Sequence, residues 1–359
     1  MIRSSDVRAE ARRLERAIAA ELSDYDTALA RLRAVPDAAR LGAALDRRGL
    51  WQPVSAGGNA DTDELARRVS VASSMHAGMN YIDALAGLRV LRNTPRAHPC
   101  DLAILCDVHI LCLPTGLDNA GYDGIAVLTR PGDWRRWSAP SDAQKGDPLF
   151  DRAIPAPGEL PQLMTAWEQR FARPAAWSGV HPLIHGAMAT FALARIVPFQ
   201  NGNRRAGQLM AHGLLNRAGV PFTGVTTAMQ RDRRGLELAL TMALDRDDAI
   251  LWCRAVATAV TDVVMTAPDA MATLDRQAGG LAADMPAFQA RFSLSRHDIA
   301  LDLLTRAVDT PRAFATRHGL SRDATTRILR QLRDRNYLAV DRLNGHQIIR
   351  LHPAQGCGG

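Results

Sequence analysis

Two apolar helical stretches meet at Val197-Pro-Phe-Gln-Asn-Gly-Asn-Arg-Arg205, and this junction holds residues suited to binding chemistry. Gly202, Asn203 and Arg204 fall where a helix N-terminus presents backbone amides, and Arg204 and Arg205 add two guanidinium groups. Together they suit an anionic ligand, a nucleotide or another phosphate-bearing molecule; simple salt bridging by the two arginines is the alternative. A second group is Trp134-Arg135-Arg136-Trp137, whose aromatic faces and cations fit a substrate groove as well as a packed surface turn. Metal chemistry has no comparable candidate, because Cys100, Cys106 and Cys112 lack zinc-ligand spacing. Five cysteines in 359 residues make no disulfide framework, so a reduced, cytoplasmic protein is expected.

These groups need helices to position them, and the apolar periodicity supplies them. Residues 3–33 read as one helix with Leu14, Ile18 and Leu22 on a stripe. Residues 53–63 read as a loop, and 64–87 and 100–113 as helices. Residues 116–140, rich in Gly, Pro and Trp, fit a loop or short hairpin. Helices follow from Leu160 to about 172 and from His181 to Ile196; a new one starts at Arg204, and two more reach Met265. Pro268, Gly279 and Gly280 mark 266–285 as a linker.

The last seventy residues give a clear local pattern. A helix over 298–307 precedes a short one, Pro311–His318, stopped by Gly319. Ser321 caps the next helix, Arg322–Arg335, which puts Thr325, Ile328, Leu329 and Leu332 on one face and arginines on the other. Two strands, Leu338–Leu343 and His346–Leu351, join at Asn344-Gly345, a dipeptide suited to a type I′ turn, with Val340 opposite Ile349. The order predicts a winged helix-turn-helix with a two-stranded wing. Its contact with double-stranded DNA is expected through Arg322, Thr326, Arg327 and Arg330, with Arg342 and His346 on the wing. A winged protein-interaction module is the alternative.

Charge agrees with a basic end. Lys and Arg total 44 against 37 acidic residues, a net +7, and residues 281–359 alone hold twelve arginines against seven aspartates. The 47% hydrophobic content argues against global disorder. No uninterrupted apolar run approaches the ~18 residues of a membrane span, so no membrane association is expected.

The segment from His181 to Gln208 resembles the core of the Fic family, whose motif H-P-F-x-[D/E]-G-N-G-R-x-x-R closes one helix and opens the next. Here the stretch reads V-P-F-Q-N-G-N-R-R-A-G-Q over 197–208; Pro198, Phe199, Gly202, Asn203 and Arg205 match. The resemblance implies a helical fold and AMP transfer from ATP to a protein hydroxyl, and four departures touch that chemistry. Val197 stands where the family's histidine takes the hydroxyl proton, and valine has no lone pair. Asn201 stands for the magnesium-holding acid, Arg204 for the second glycine and Gln208 for the last phosphate-clamping arginine. Upstream, Val69–Gly78 resembles the self-inhibitory helix, with Ala77 at the inhibitory glutamate position. Residues 107–111 resemble the helix before the target-docking flap, and 131–135 with 155–157 the flap and its proline-rich exit.

The expectations are therefore a mainly α fold, with a Fic-type helical core, a small β-hairpin flap and a following winged helix-turn-helix. The expected divisions are 1–63 N-terminal helical region, 64–265 Fic-like domain, 266–290 linker and 291–353 winged module. The leading functional expectation is a DNA-binding regulator or scaffold with a degenerate, non-AMPylating domain that senses an anionic or nucleotide ligand. The alternative is a Fic-fold enzyme redirected to another transfer or lyase reaction with a non-standard base. His185, His212 and His76 are the substitute candidates, although spacing alone assigns each a buried or capping role first. No cofactor is certain beyond a nucleotide or other phosphate-bearing ligand; no metal is expected. The resemblance adds a homodimer, with a protein or anionic small molecule as further partner.

Overall fold

The computed structural model describes residues 4–49, 98–112, 132–136, 154–200, 202–288, 294–305, 308–343 and 346–351. The chain divides into two compact units, Met1–Ala34 with Ala60–Met265 and Val35–Asn59 with Thr266–Gly359. Residues 53–63 and 64–87, with the segment Val69–Gly78 and His76, lie outside the described residues, as do Trp137, Asn201 and the turn Asn344-Gly345.

The described part of the first unit is helical. Its elements are α1 (Ser4–Ala17) and α2 (Ala19–Arg33), then α4 (Leu102–Cys112), α5 (Leu160–Phe171), α6 (Pro174–Trp177), α7 (Pro182–Ile196), α8 (Asn203–Arg217), α9 (Val225–Arg231) and α10 (Arg233–Asp245). The N-terminal stretch is two helices rather than one, parted at Ile18, where φ is −127°. Helices α7 and α8 carry the core. α7 starts with His181 as cap, its Nδ1 accepting from the Leu183 amide at 3.2 Å, and Pro182 at the first position. It buries Leu183, Ile184, Ala187, Met188, Phe191 and Leu193, and α8 answers with Leu209, Met210, Leu214 and Leu215. A Cβ at Gly186 would meet Ala211 at 3.7 Å, so a small residue there lets the two helices approach closely.

The second unit takes α3 (Ala38–Gly49) from the N-terminal region. Its other elements are the latter half of α11 (Ala249–Ala283), α12 (Arg296–Thr305), α13 (Pro311–His318), α14 (Arg322–Asp334) and the strands β1 (Val308–Asp309), β2 (Leu338–Leu343) and β3 (His346–Leu351). The expected linker is corrected: residues 266–283 are helix. Ala267, Met271, Leu274, Ala278 and Leu281 form a buried stripe at helical spacing, and its burial outweighs the local cost of Pro268, Gly279 and Gly280. α11 is long and apolar enough to cross a membrane by length and composition, but half of its most apolar window is buried inside the protein, as in a core helix. α3 docks on α12, where Arg40 reaches Asp298 at 3.0 Å and Asp275 at 3.8 Å.

Two expectations about β structure are also corrected. Among the described residues, 132–136 form turn and coil and no flap strand, because the Arg135 amide donates to Pro198 O at 2.8 Å instead of to a strand partner. The expected strands β2 and β3 pair with Val340 opposite Ile349, but β1 joins them in the antiparallel order β1-β3-β2, so the sheet has three strands and the two-stranded wing is corrected. Val308 and Asp309 pair with Arg350 and Ile349, occupying the edge that a two-stranded wing leaves open. A two-residue strand has no periodicity to reveal it in sequence. Arg333 and Arg335 are engaged by Asp334 and Asp284, and the side chains of Arg342 and His346 lie outside the description. The winged helix-turn-helix, and with it the DNA contact assigned to Arg322, Thr326, Arg327, Arg330, Arg342 and His346, is withdrawn.

α14 is held to the end of α11 through Asp284. Its carboxylate accepts from Arg335 and from the Tyr337 hydroxyl at 2.7 Å, and its backbone carbonyl accepts from Gln331 Nε2 at 2.8 Å. Tyr337→Phe is expected to cost about 1 kcal/mol and Asp284→Ala about 2 kcal/mol, since the second leaves two donors without their anion. Urea unfolding checks this; equal midpoints for Asp284→Ala and wild type would show the contact to be idle.

Candidate functional site

The site is built from the turn between α7 and α8. Val197 ends α7 in the left-handed region, φ 49° and ψ 63°, its amide still bonded to Leu193 O at 2.9 Å. Gly202 opens α8 in the same region, φ 77°. Glycine occupies it without strain, whereas a β-branched residue there costs about 1–3 kcal/mol. Of the four non-glycine residues described with positive φ, Asp37, Val197, Asp247 and Asn336, only the valine lacks a polar side chain to ease that conformation.

Three braces hold this backbone. The Asn203 side chain grips Phe199 from both sides: its Oδ1 accepts from the Phe199 amide and its Nδ2 donates to the Phe199 carbonyl, both at 2.9 Å. The Phe199 ring, wholly buried, stacks on His109 with centroids 3.8 Å apart and planes within 4°, and Trp134 tilts against it at 5.2 Å. His109 in turn accepts the Gly132 amide on Nδ1 at 2.9 Å, which leaves the ring proton on Nε2. The third brace is Arg135, 2% exposed. Its Nε donates to Val197 O at 2.7 Å and its Nη2 to Pro155 O. Burial lowers its pKa from the usual arginine value.

The amides of Asn203, Arg204 and Arg205 precede the first intrahelical bond of α8, Ala206 N–H to Gly202 O at 2.9 Å, so they have no acceptor inside the helix. Arg204 turns to Glu237 on α10 at 2.6 Å, and Glu237 also takes Arg233 at 2.8 Å. Burial pushes the Glu237 carboxyl up, but the bond from Arg233 and the charges of Arg204 and Arg233 outweigh it and hold the group below the usual carboxylate range. The salt-bridge role weighed for Arg204 is the one seen; Arg205 is exposed. Beside this turn, Cys106, Asp133, Trp134, Arg136, Pro157 and Pro161 line an open groove of about 620 Å³. Arg136 borders it from the surface, paired with Asp133 at 3.2 Å. The structure brings the expected flap trio together at the groove, Trp134 and Arg136 beside Arg135, whose guanidinium also donates to backbone carbonyls.

The described substitute bases are engaged elsewhere. His185 stacks on Trp177 at 4.2 Å and donates from Nε2 to Phe171 O at 3.1 Å. Burial and the neighbouring His98 push its pKa down to about 3. His212 is fully buried, with Nδ1 on Thr223 Oγ1 at 2.7 Å and Nε2 on Asn216 Nδ2 at 2.6 Å. Among the described residues no group of three or more His, Cys, Asp or Glu is placed to hold a metal ion. The arrangement can hold an anion at the start of α8, and residue 197 can take no proton. Sequence reasoning named Arg135 and Asn203 but for other roles, and missed Glu237 as the partner of Arg204; no local signal marks the contacts of Arg135 with Val197 and Pro155 or of Arg204 with Glu237.

The buried imidazoles make stability depend on pH. His98, pushed by burial to about 4, and His185, near 3, stay neutral in the folded chain while unfolded histidines protonate near 6.5. Below pH 6.5 the unfolded state binds more protons, so stability falls with falling pH until the folded pKa values are reached. Each group contributes a slope of about 1.4 kcal/mol per pH unit at most. His185→Phe is expected to reduce the slope between pH 6 and 4.5 by about one proton, read from denaturant titrations; an unchanged slope would show that His185 protonates in the fold.

Residues 100–215 match the family model described as Fic/DOC family. Protein adenylyltransferase Fic of Drosophila ananassae and of Drosophila melanogaster are each 40% identical to this chain over 67 residues, 19% of this chain and 13% of theirs. The match thus spans only 13% of the length of these curated relatives. The fold is similar to that of a Fic family protein from Desulfovibrio desulfuricans G20, with TM-score 0.49 and 14% identity over 94% of this chain and 96% of that one. A Fic domain containing signaling protein from Bacteroides thetaiotaomicron VPI-5482 gives 0.48 and 13% over 71% and 97%.

Proposed function

From the match of residues 100–215 to the Fic/DOC family model, we propose that this chain is a Fic-fold enzyme that transfers a group from a phosphate-bearing donor without a base at position 197. One observation carries the reading: the turn between α7 and α8 keeps a left-handed valine, and buried groups are spent to hold it there. A turn that had lost all use would be expected to relax to a residue that suits the conformation. The amides at the start of α8 and the Arg205 guanidinium supply donors for the donor's phosphate. In the transfer, the acceptor oxygen bonds to phosphorus as the bond to the leaving phosphate breaks, and that phosphate keeps the electron pair. The acceptor's proton passes to a donor phosphate oxygen, since residue 197 has no lone pair. The groove beside Trp134 and Arg136 is the place for the acceptor.

The test is donor consumption by the unmodified chain, offered a panel of labelled nucleoside triphosphates and nucleoside diphosphate-linked compounds. Turnover is expected in wild type and should fall about tenfold or more in Arg205→Ala, the loss of one charge-assisted contact to phosphate. Saturable binding without turnover would make the domain a phosphate sensor instead, a reading favoured by the engagement of His185 and His212 elsewhere. Neither binding nor turnover would overturn both. AMP transfer only after Val197→His would return the chain to a silenced ancestor of the usual reaction.

A further inference from the structure

We infer that Arg135 is a positioning residue for the phosphate-handling turn, setting the backbone of Val197 and Pro198 through its side-chain fork and its own amide. The inference deepens the proposed function and rests on it for its consequence in turnover, though its structural half stands alone. Arg135 ties three segments together: its own amide holds Pro198 O at 2.8 Å, its Nε holds Val197 O at 2.7 Å and its Nη2 holds Pro155 O. Two of these acceptors lie in the turn and one in the stretch leading to Pro157 of the groove. The guanidinium also meets the last carbonyl of α7, where the helix dipole favours a cation.

The arrangement is costly if stability is its only purpose. A buried guanidinium gives up its hydration, and a left-handed valine gives up conformational ease. Glycine at 197 would end α7 without the second of these costs. What the pair secures is a fixed position for the Val197 carbonyl and hence for Phe199, whose amide and carbonyl are then met by Asn203, the first residue of α8. The start of α8 is thereby set against the groove segment by one side chain.

Arg135→Lys tests this, because lysine keeps the cation at the end of α7 but cannot span the same carbonyls. Amide exchange by NMR on the ligand-free chain is expected to show Phe199 and Val197 exchanging about tenfold faster than wild type, with the His185 amide in the first turn of α7 unchanged. In the donor assay, kcat should fall about tenfold while KM stays within about twofold, the mark of misplacement rather than lost binding. Wild-type exchange at Phe199 would overturn the inference. So would faster exchange spread evenly over the unit, or loss of the fold, since either makes Arg135 a structural residue only. If wild type consumes no donor, the proposed function fails, while the exchange arm still decides the role of Arg135.

Discussion

A buried cation facing the carbonyl of a strained valine is the constraint on which the described site depends. Arg135 cannot leave Val197 without exposing an unpaired carbonyl, and Val197 cannot relax without displacing Pro198 and Phe199, which are themselves held by Arg135, His109 and Asn203. The contacts are mutually supporting, so the turn behaves as one rigid piece. Its rigidity comes from polar bonds to main-chain atoms and from ring stacking, neither of which needs the side chain at 197 to be anything in particular. That is how the backbone of this turn is held around a residue whose side chain can take no proton.

The charges around the turn are divided. Arg204 is drawn to Glu237, which it shares with Arg233, while Arg205 faces solvent. A ligand phosphate would therefore meet one ready guanidinium and one already compensated. The imidazoles follow the same economy: His109 is a stacking platform and acceptor, His185 a donor inside an aromatic cluster, His212 the middle of a buried chain from Thr223 to Asn216. Each is held by the packing and hydrogen bonds of the fold rather than turned to the groove.

The helices were legible where caps and stripes agree. Pro182 and the apolar run mark α7, Gly202 marks the start of α8, and Pro311, Gly319 and Ser321 mark the ends of α13 and the start of α14. Local punctuation misled at 266–283, where one proline and two glycines outweighed in the reading a stripe of five buried residues that wins in the fold. The start of α8, with its free first-turn amides, was readable from Gly202. The bracing role of Arg135 was not, because its acceptors lie at 155 and 197 and nothing in the run Trp134-Arg135-Arg136-Trp137 tells which arginine is buried. The third strand was invisible for the same reason: Val308 is recruited by Arg350, forty-two positions on, and two residues carry no pattern.

Helix α3 belongs with elements that follow it at great remove; Arg40 and Asp298 are 258 positions apart. A chain emerging from the ribosome therefore makes α3 long before its docking surface exists, and must close one very long loop to complete the C-terminal unit. Until then Leu41, Ala44 and Leu45, all buried in the finished fold, have nothing to lie against. A fragment beginning at 266 would therefore lack α3, one of the walls of its own unit.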